Sequence, residues 1–116
     1  MDYRSLNLLG TVRIAPTFDL AETAAKLGVA LGVAFARDSP GAFDEFPSFS
    51  AECAGLSFAL LGIPESHEQI SVDPIVDYEF KIRMAFRDDD ASEMCDASGY
   101  FADLIRERSD LTVAAP

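Results

Sequence analysis

Between Arg37 and Lys81 the chain has neither lysine nor arginine, although Asp38, Asp44, Glu45, Glu52, Glu65, Glu68, Asp73, Asp77 and Glu79 all fall there. A second acidic run, Asp88-Asp89-Asp90 with Glu93 and Asp96, follows Arg87 and again contains no cation. The formal charge is −11 over 116 residues. With no basic stripe to neutralise phosphates, nucleic acid is excluded as a partner. A field of this sign also repels anionic membranes, and it accelerates encounter with a basic protein.

Other absences narrow the reading further. Cys53 and Cys95 are the only cysteines. They form neither a disulfide framework nor a zinc signature, so we expect two free, buried or half-buried thiols in a reducing cytosol. No dinucleotide fingerprint, Walker loop, zinc-protease motif or nucleophile elbow is present, and we assign no cofactor. The apolar stretch Leu27–Phe35 is far short of the ~20 residues that span a bilayer. Met1-Asp2-Tyr3-Arg4 lacks the basic start and apolar run of a secretory leader, which points to a cytoplasmic protein. What is present is an adequate core. Hydrophobic residues make up 49% of the chain and nine are Phe, so high charge does not here mean disorder. Residues 1–116 are expected to form a single domain.

Leu6, Leu8, Val12 and Ile14 share one parity and predict a half-buried strand ended by Pro16. Asp19 three residues before Glu22 predicts a helix start, with Leu20, Ala24 and Leu27 on its apolar face and Gly28 closing it. Val29, Leu31, Val33 and Phe35 alternate with Ala30, Gly32, Ala34 and Ala36, which favours a strand over a helix running on to Phe35. Residues 38–47 read as a loop, followed by a helix from Pro47 to about Ala54 with Gly55 as its stop. Leu56–Ile63 is an apolar strand. The strand from Val76 is the clearest element: Val76, Tyr78, Phe80, Ile82, Met84 and Phe86 face one way, and Asp77, Glu79, Lys81, Arg83 and Arg87 the other. After an acidic loop, a helix over 97–108 carries Tyr100, Phe101, Leu104, Ile105 and Arg108 on one side, capped by Asp96 or Ser98. A short final strand covers Leu111–Val113. The sum is an α+β domain: a mostly antiparallel sheet of about five strands with two to three helices on one side.

His67 is the only histidine. It lies among Glu65 and Glu68 with no nucleophile at a recognisable spacing, and reads as a surface residue rather than a general base. The 88–96 carboxylates lack the glycine turn of a calcium loop, so no metal is assigned. Phe43, Phe46 and Phe49 recur three apart around Pro47, either stapling the chain to the core or offering an aromatic anchor ringed by acids.

Ala42-Phe43-Asp44-Glu45-Phe46-Pro47-Ser48-Phe49, leading into the segment from Ala54 to Pro64, resembles the small acidic immunity proteins of bacterial polymorphic and contact-dependent toxin systems. That resemblance implies stoichiometric inhibition of a toxin domain rather than catalysis. Composition and resemblance together predict a non-enzymatic binding protein that occludes a basic active site such as that of a nuclease. Asp38, Asp44, Glu45, Asp88, Asp89, Asp90, Glu93 and Asp96 would supply the field, and Phe43 or Phe46 the apolar anchor. The alternative is a small regulatory domain that binds a metabolite and self-associates, using the small side chains of Ala30, Gly32, Ala34 and Ala36.

Overall fold

A computed structural model describes residues 6–43, 46–63, 77–84 and 93–114. The elements run β1 (Leu6–Ile14), α1 (Leu20–Leu31), β2 (Ala36–Arg37), β3 (Ser48–Cys53), β4 (Leu56–Leu61), β5 (Tyr78–Met84), β6 (Glu93–Asp96), α2 (Ser98–Arg108) and β7 (Val113–Ala114). They build one seven-stranded mixed sheet in the order β2-β3-β4-β5-β1-β6, with β7 also pairing with β1. All pairings are antiparallel except β1 with β6. The α+β class is therefore as expected. Among the described residues there are two α-helices, packed against each other and both contributing to the same hydrophobic cluster, and none is long and apolar enough to cross a membrane.

Period-two patterning decides the core. Val12 and Ile14 of β1, Phe58 and Leu60 of β4, and Tyr78, Phe80 and Ile82 of β5 turn inward under the helices. Phe101, Ala102 and Ile105 of α2 meet them, as do Ala24 and Leu27 of α1. At the centre Phe80 lies 5.7 Å from Phe58 and 6.3 Å from Phe101, ring centre to ring centre. Phe58 and Phe101 close the triangle edge to face at 5.8 Å, a favourable aromatic geometry. Tyr100, expected on this face, is instead exposed.

Helix α1 begins as the sequence predicts: the Asp19 carboxylate accepts from the Glu22 N–H at 2.7 Å. It ends a turn later than expected, overturning the strand over 29–35. Gly32, not Gly28, adopts the left-handed conformation (φ +70°), and the N–H groups of Gly32 and Val33 both reach the Gly28 carbonyl. Leu27, Ala30 and Leu31 turn toward the core at helical spacing while Val29 faces water at 84% exposure. The small-residue strand face invoked for a ligand therefore does not exist. Gly28 serves another purpose: a Cβ there would lie 2.6 Å from the Val33 carbonyl oxygen.

The helix expected over 47–54 is strand β3. Phe49 and Ala51 pack on the helix side while Ser48 and Ser50 occupy the other, the alternation of a strand. Gly55, expected to stop that helix, instead closes a β-hairpin with Ala54. Both central residues have positive φ, 52° at Ala54 and 81° at Gly55, and Cys53 pairs with Leu56 across them, as in a type I′ turn. Strand β6 lies inside the run expected to be an acidic loop. Cys53 and Cys95 are both free and exposed rather than buried.

Two substitutions test these readings by chemical denaturation. Ala54→Asn supplies a residue suited to positive φ and is expected to stabilise the protein by about 0.5–1 kcal/mol. Gly28→Ala gains helix propensity, yet it is expected to destabilise by about 1–3 kcal/mol because the added methyl meets backbone rather than a yielding side chain. A neutral or stabilising Gly28→Ala would show that the α1 exit is looser than described.

Candidate functional site

The antiparallel β2–β3–β4 arm brings together residues distant in sequence. Register pairs Arg37 with Phe49 and Ala36 with Ser50, so Asp38, one step past Arg37, falls on the same face as Ser48 and Ser50. The Ser48 and Ser50 hydroxyls each donate to Asp38 Oδ2 at 2.6 Å. The Asp38 N–H donates to the Ser48 carbonyl at 3.0 Å. Two hydroxyls and a main-chain bond fix the orientation of this carboxylate, which is half-buried beside a buried Ser48.

Asp38 forms part of the wall of a cleft of about 770 Å³ at the end of the sheet, bounded by Leu20 at the start of α1, Pro40, Phe46, Pro47, Ile63 and Tyr78. Its walls are held from several elements. The Gly62 N–H donates to the Pro47 carbonyl at 2.7 Å, extending the β3–β4 pairing past its last ladder residue. The Tyr78 hydroxyl donates to the Phe18 carbonyl at 2.9 Å. Burial first, and the Asp19 charge second, push the Tyr78 hydroxyl above its ordinary pKa. Arg37 also borders the cleft, but its guanidinium carbon lies 5.7 Å from the Phe49 ring centre.

Among the described residues, the expected site residues fall in more than one place. Asp38 and Phe46 share the cleft. Phe43 is half-buried in the same loop, and the Phe46 N–H bonds to its carbonyl at 3.0 Å. Asp96 lies at the other side of the sheet, as the last residue of β6. Its Oδ1 accepts from the Ser98 hydroxyl at 2.6 Å and the Ser98 N–H at 2.9 Å, an Asx-type turn that starts α2. The Thr11 N–H in turn donates to Ser98 Oγ at 2.9 Å, so Asp96 helps to join α2 to β1. Glu93 lies in β6, opposite Leu6. Asp44, Glu45, Asp88, Asp89, Asp90 and His67 lie outside the described residues.

Residues that sequence reasoning missed are Ser48 and Ser50. The alternation Ser48-Phe49-Ser50-Ala51-Glu52 was the available signal, obscured by reading 47–54 as a helix. Among the described residues there is no group of three or more His, Cys, Asp or Glu placed to hold a metal ion.

The Ser98 hydroxyl, and after it the Ser98 N–H, hold the Asp96 carboxyl below its ordinary pKa. A carboxylate depressed by folding contributes stability above its unfolded pKa and loses it as pH falls through the folded value. Asp96→Asn is therefore expected to be less stable than the parent at pH 7, with the gap in urea midpoint closing as the solution is acidified below the carboxylate range. A gap independent of pH would mean that the ionised form is not what Ser98 stabilises.

Comparison with protein-family models, with curated proteins and with solved structures finds no match for this chain.

Proposed function

We propose that this chain is a non-enzymatic, acidic binding protein that inhibits a basic partner by covering its active site, in the manner of an immunity protein acting on a cognate toxin domain. One observation carries the reading. A carboxylate and an aromatic ring, Asp38 and Phe46, border the same cleft, and both belong to the stretch after Arg37 that lacks any lysine or arginine, while Arg37 at the cleft's edge lies over the Phe49 ring. An anchor of that kind supplies desolvated apolar area next to charge of one sign. The remaining acidic segments add long-range attraction, which raises association rate more than it lengthens the lifetime of the complex. An enzyme whose basic active site acts on an anionic substrate, such as a nuclease, is the partner class that this charge suits, and a bacterial cytoplasm is where such an inhibitor would act.

The cleft also favours a second reading, a small regulatory domain that binds a metabolite. Its volume falls within the ordinary range for small-molecule sites. Ligand binding to the native state alone raises the melting temperature, so a thermal-shift survey of metabolites, with sizing data for self-association, separates the two.

Co-expression with a neighbouring toxin domain is expected to rescue cells, and the two proteins to copurify. Their association rate is expected to fall steeply with added salt. Reversing charge at Asp88, Asp89 and Asp90 is expected to slow association and weaken that salt dependence, with dissociation little changed. Phe43→Ala or Phe46→Ala is expected to speed dissociation, at a cost of about 2 kcal/mol or more for a true anchor. An association rate indifferent to salt would remove the electrostatic part of the proposal.

A further inference from the structure

We infer that the cleft beside Asp38 receives a lysine or arginine side chain presented by the protein partner, an assignment that rests on the binding function proposed above. The argument begins with what the cleft offers. Pro40, Phe46, Pro47 and Ile63 give it apolar walls, suited to the methylene stem that both cationic side chains carry. Among the described lining residues one is a carboxylate, Asp38, whose Oδ2 takes two hydroxyl bonds of 2.6 Å from Ser48 and Ser50. A carboxylate accepts about four hydrogen bonds, so these two orient Asp38 while leaving capacity for a charged donor.

Preorientation matters because a flexible surface carboxylate gives little affinity after its ordering cost. Here that ordering has already occurred in folding. Arg37 also borders the cleft, but its guanidinium is directed to the other face of the strand pair. Arg37 pairs in register with Phe49 and reaches over its ring, whereas Asp38 shares the opposite face of the strand pair with Ser48 and Ser50. An anionic ligand is disfavoured by Asp38 itself and by a net charge of −11. The cleft, at about 770 Å³, exceeds what one side chain needs, so it admits the flanking peptide as well. That extra room distinguishes a protein-borne cation from a free amine.

The test uses the full ¹⁵N-labelled chain titrated with acetyl-Gly-Arg-Gly-amide, with the citrulline peptide as an uncharged isostere and agmatine as a free guanidine. The arginine peptide is expected to move the Ser48, Ser50 and Gly62 amide resonances saturably, while the citrulline peptide leaves them in place. Asp38→Asn is expected to weaken the arginine peptide about tenfold, the scale of one charged hydrogen bond. Should Asp38→Asn lose its dispersed spectrum, Ser50→Ala, which frees the carboxylate from one of its two hydroxyls, is expected to weaken the peptide severalfold. Equal response to the two peptides, or undiminished binding in a folded Asp38→Asn, overturns the assignment. Tighter binding of agmatine than of the peptide overturns it in favour of a small amine. A toxin domain that binds with salt-sensitive association while the peptide leaves those amides unmoved rejects the cleft and keeps the inhibitor reading. Peptide capture by the cleft, with no salt-sensitive partner, rejects the inhibitor reading and keeps the cleft.

Discussion

Strand β1 holds the molecule closed. It pairs with β5 along one side, and with β6 and then β7 along the other, so the first strand of the chain is an interior strand completed by its last segments. Val12 and Ile14 are fully buried there. Bonds outside the ladders reinforce the closure: Ala97 N–H to the Leu9 carbonyl at 2.7 Å and Ala15 N–H to the Thr112 carbonyl at 2.9 Å. Such pairings span most of the sequence and must overcome a large loop-closure entropy before they stabilise anything. They become favourable because Phe80, Phe58 and Phe101 bury together with Val12, Ile14 and Ile105 in the same cluster. Within the sheet, the β2–β3–β4 arm is joined to β1 through β5.

Among the described residues, charge contributes little to this closure. Lys26 reaches Asp110 at 2.9 Å, Arg106 reaches Asp103 at 3.1 Å, and Lys81 approaches Glu79 at 3.8 Å. All three pairs are partly or largely solvent-exposed, and exposed pairs contribute about 0–1 kcal/mol each. Lys26 also lies 4.3 Å from the Phe18 ring centre, which ties α1 locally. Meanwhile the carboxylates exceed the cations by eleven, a self-repulsion that the fold tolerates without evident return. A charge excess that weakens the native state and does not build it fits a role in encounter, where its effect is largest.

Where the sequence was legible, one period dominated the window. Strand β5 and strand β1 alternate cleanly, α2 has a helical face, and β4 is bounded by Gly55 and Pro64; all were readable with boundaries shifted by a few residues. The stretch from 27 to 55 was not, for two physical reasons. Gly28 and Gly32 both lie where a helix can end, and only the path of the chain after Gly32, which brings the Val33 carbonyl against Gly28, shows that Gly28 is needed for space. Ser48–Cys53 is short, and its register is set by pairing with β4, which no local window contains. Strand β6 escaped because it lies at a sheet edge with Met94, Cys95 and Asp96 all exposed, so burial imposes no pattern on it. Of the candidate site, Asp38, Phe43 and Phe46 were identifiable as an acidic-aromatic loop. The hydroxyls that orient Asp38 were not.

The same misread segment explains why the site could not be foreseen as a site. In a helix, Ser48 and Ser50 would point about 200° apart, and at most one could reach Asp38. In a strand they share a face, about 7 Å apart along the chain, and the carboxylate at the end of β2 is placed between them. The convergence therefore depends on the antiparallel pairing of β2 with β3, whose register is held in turn by β4 through six residue pairs. Part of that pairing rests on Ala54, a residue ill suited to its positive φ. A turn whose sequence is not optimal leaves the hairpin that orients Asp38 more dependent on Phe49, Ala51 and Phe58 packing against the core. The oriented carboxylate is thus a product of the aromatic interior and of strand register, while the long-range field is a product of composition alone. That separation is the physical reason the field was readable from the sequence and the cleft was not.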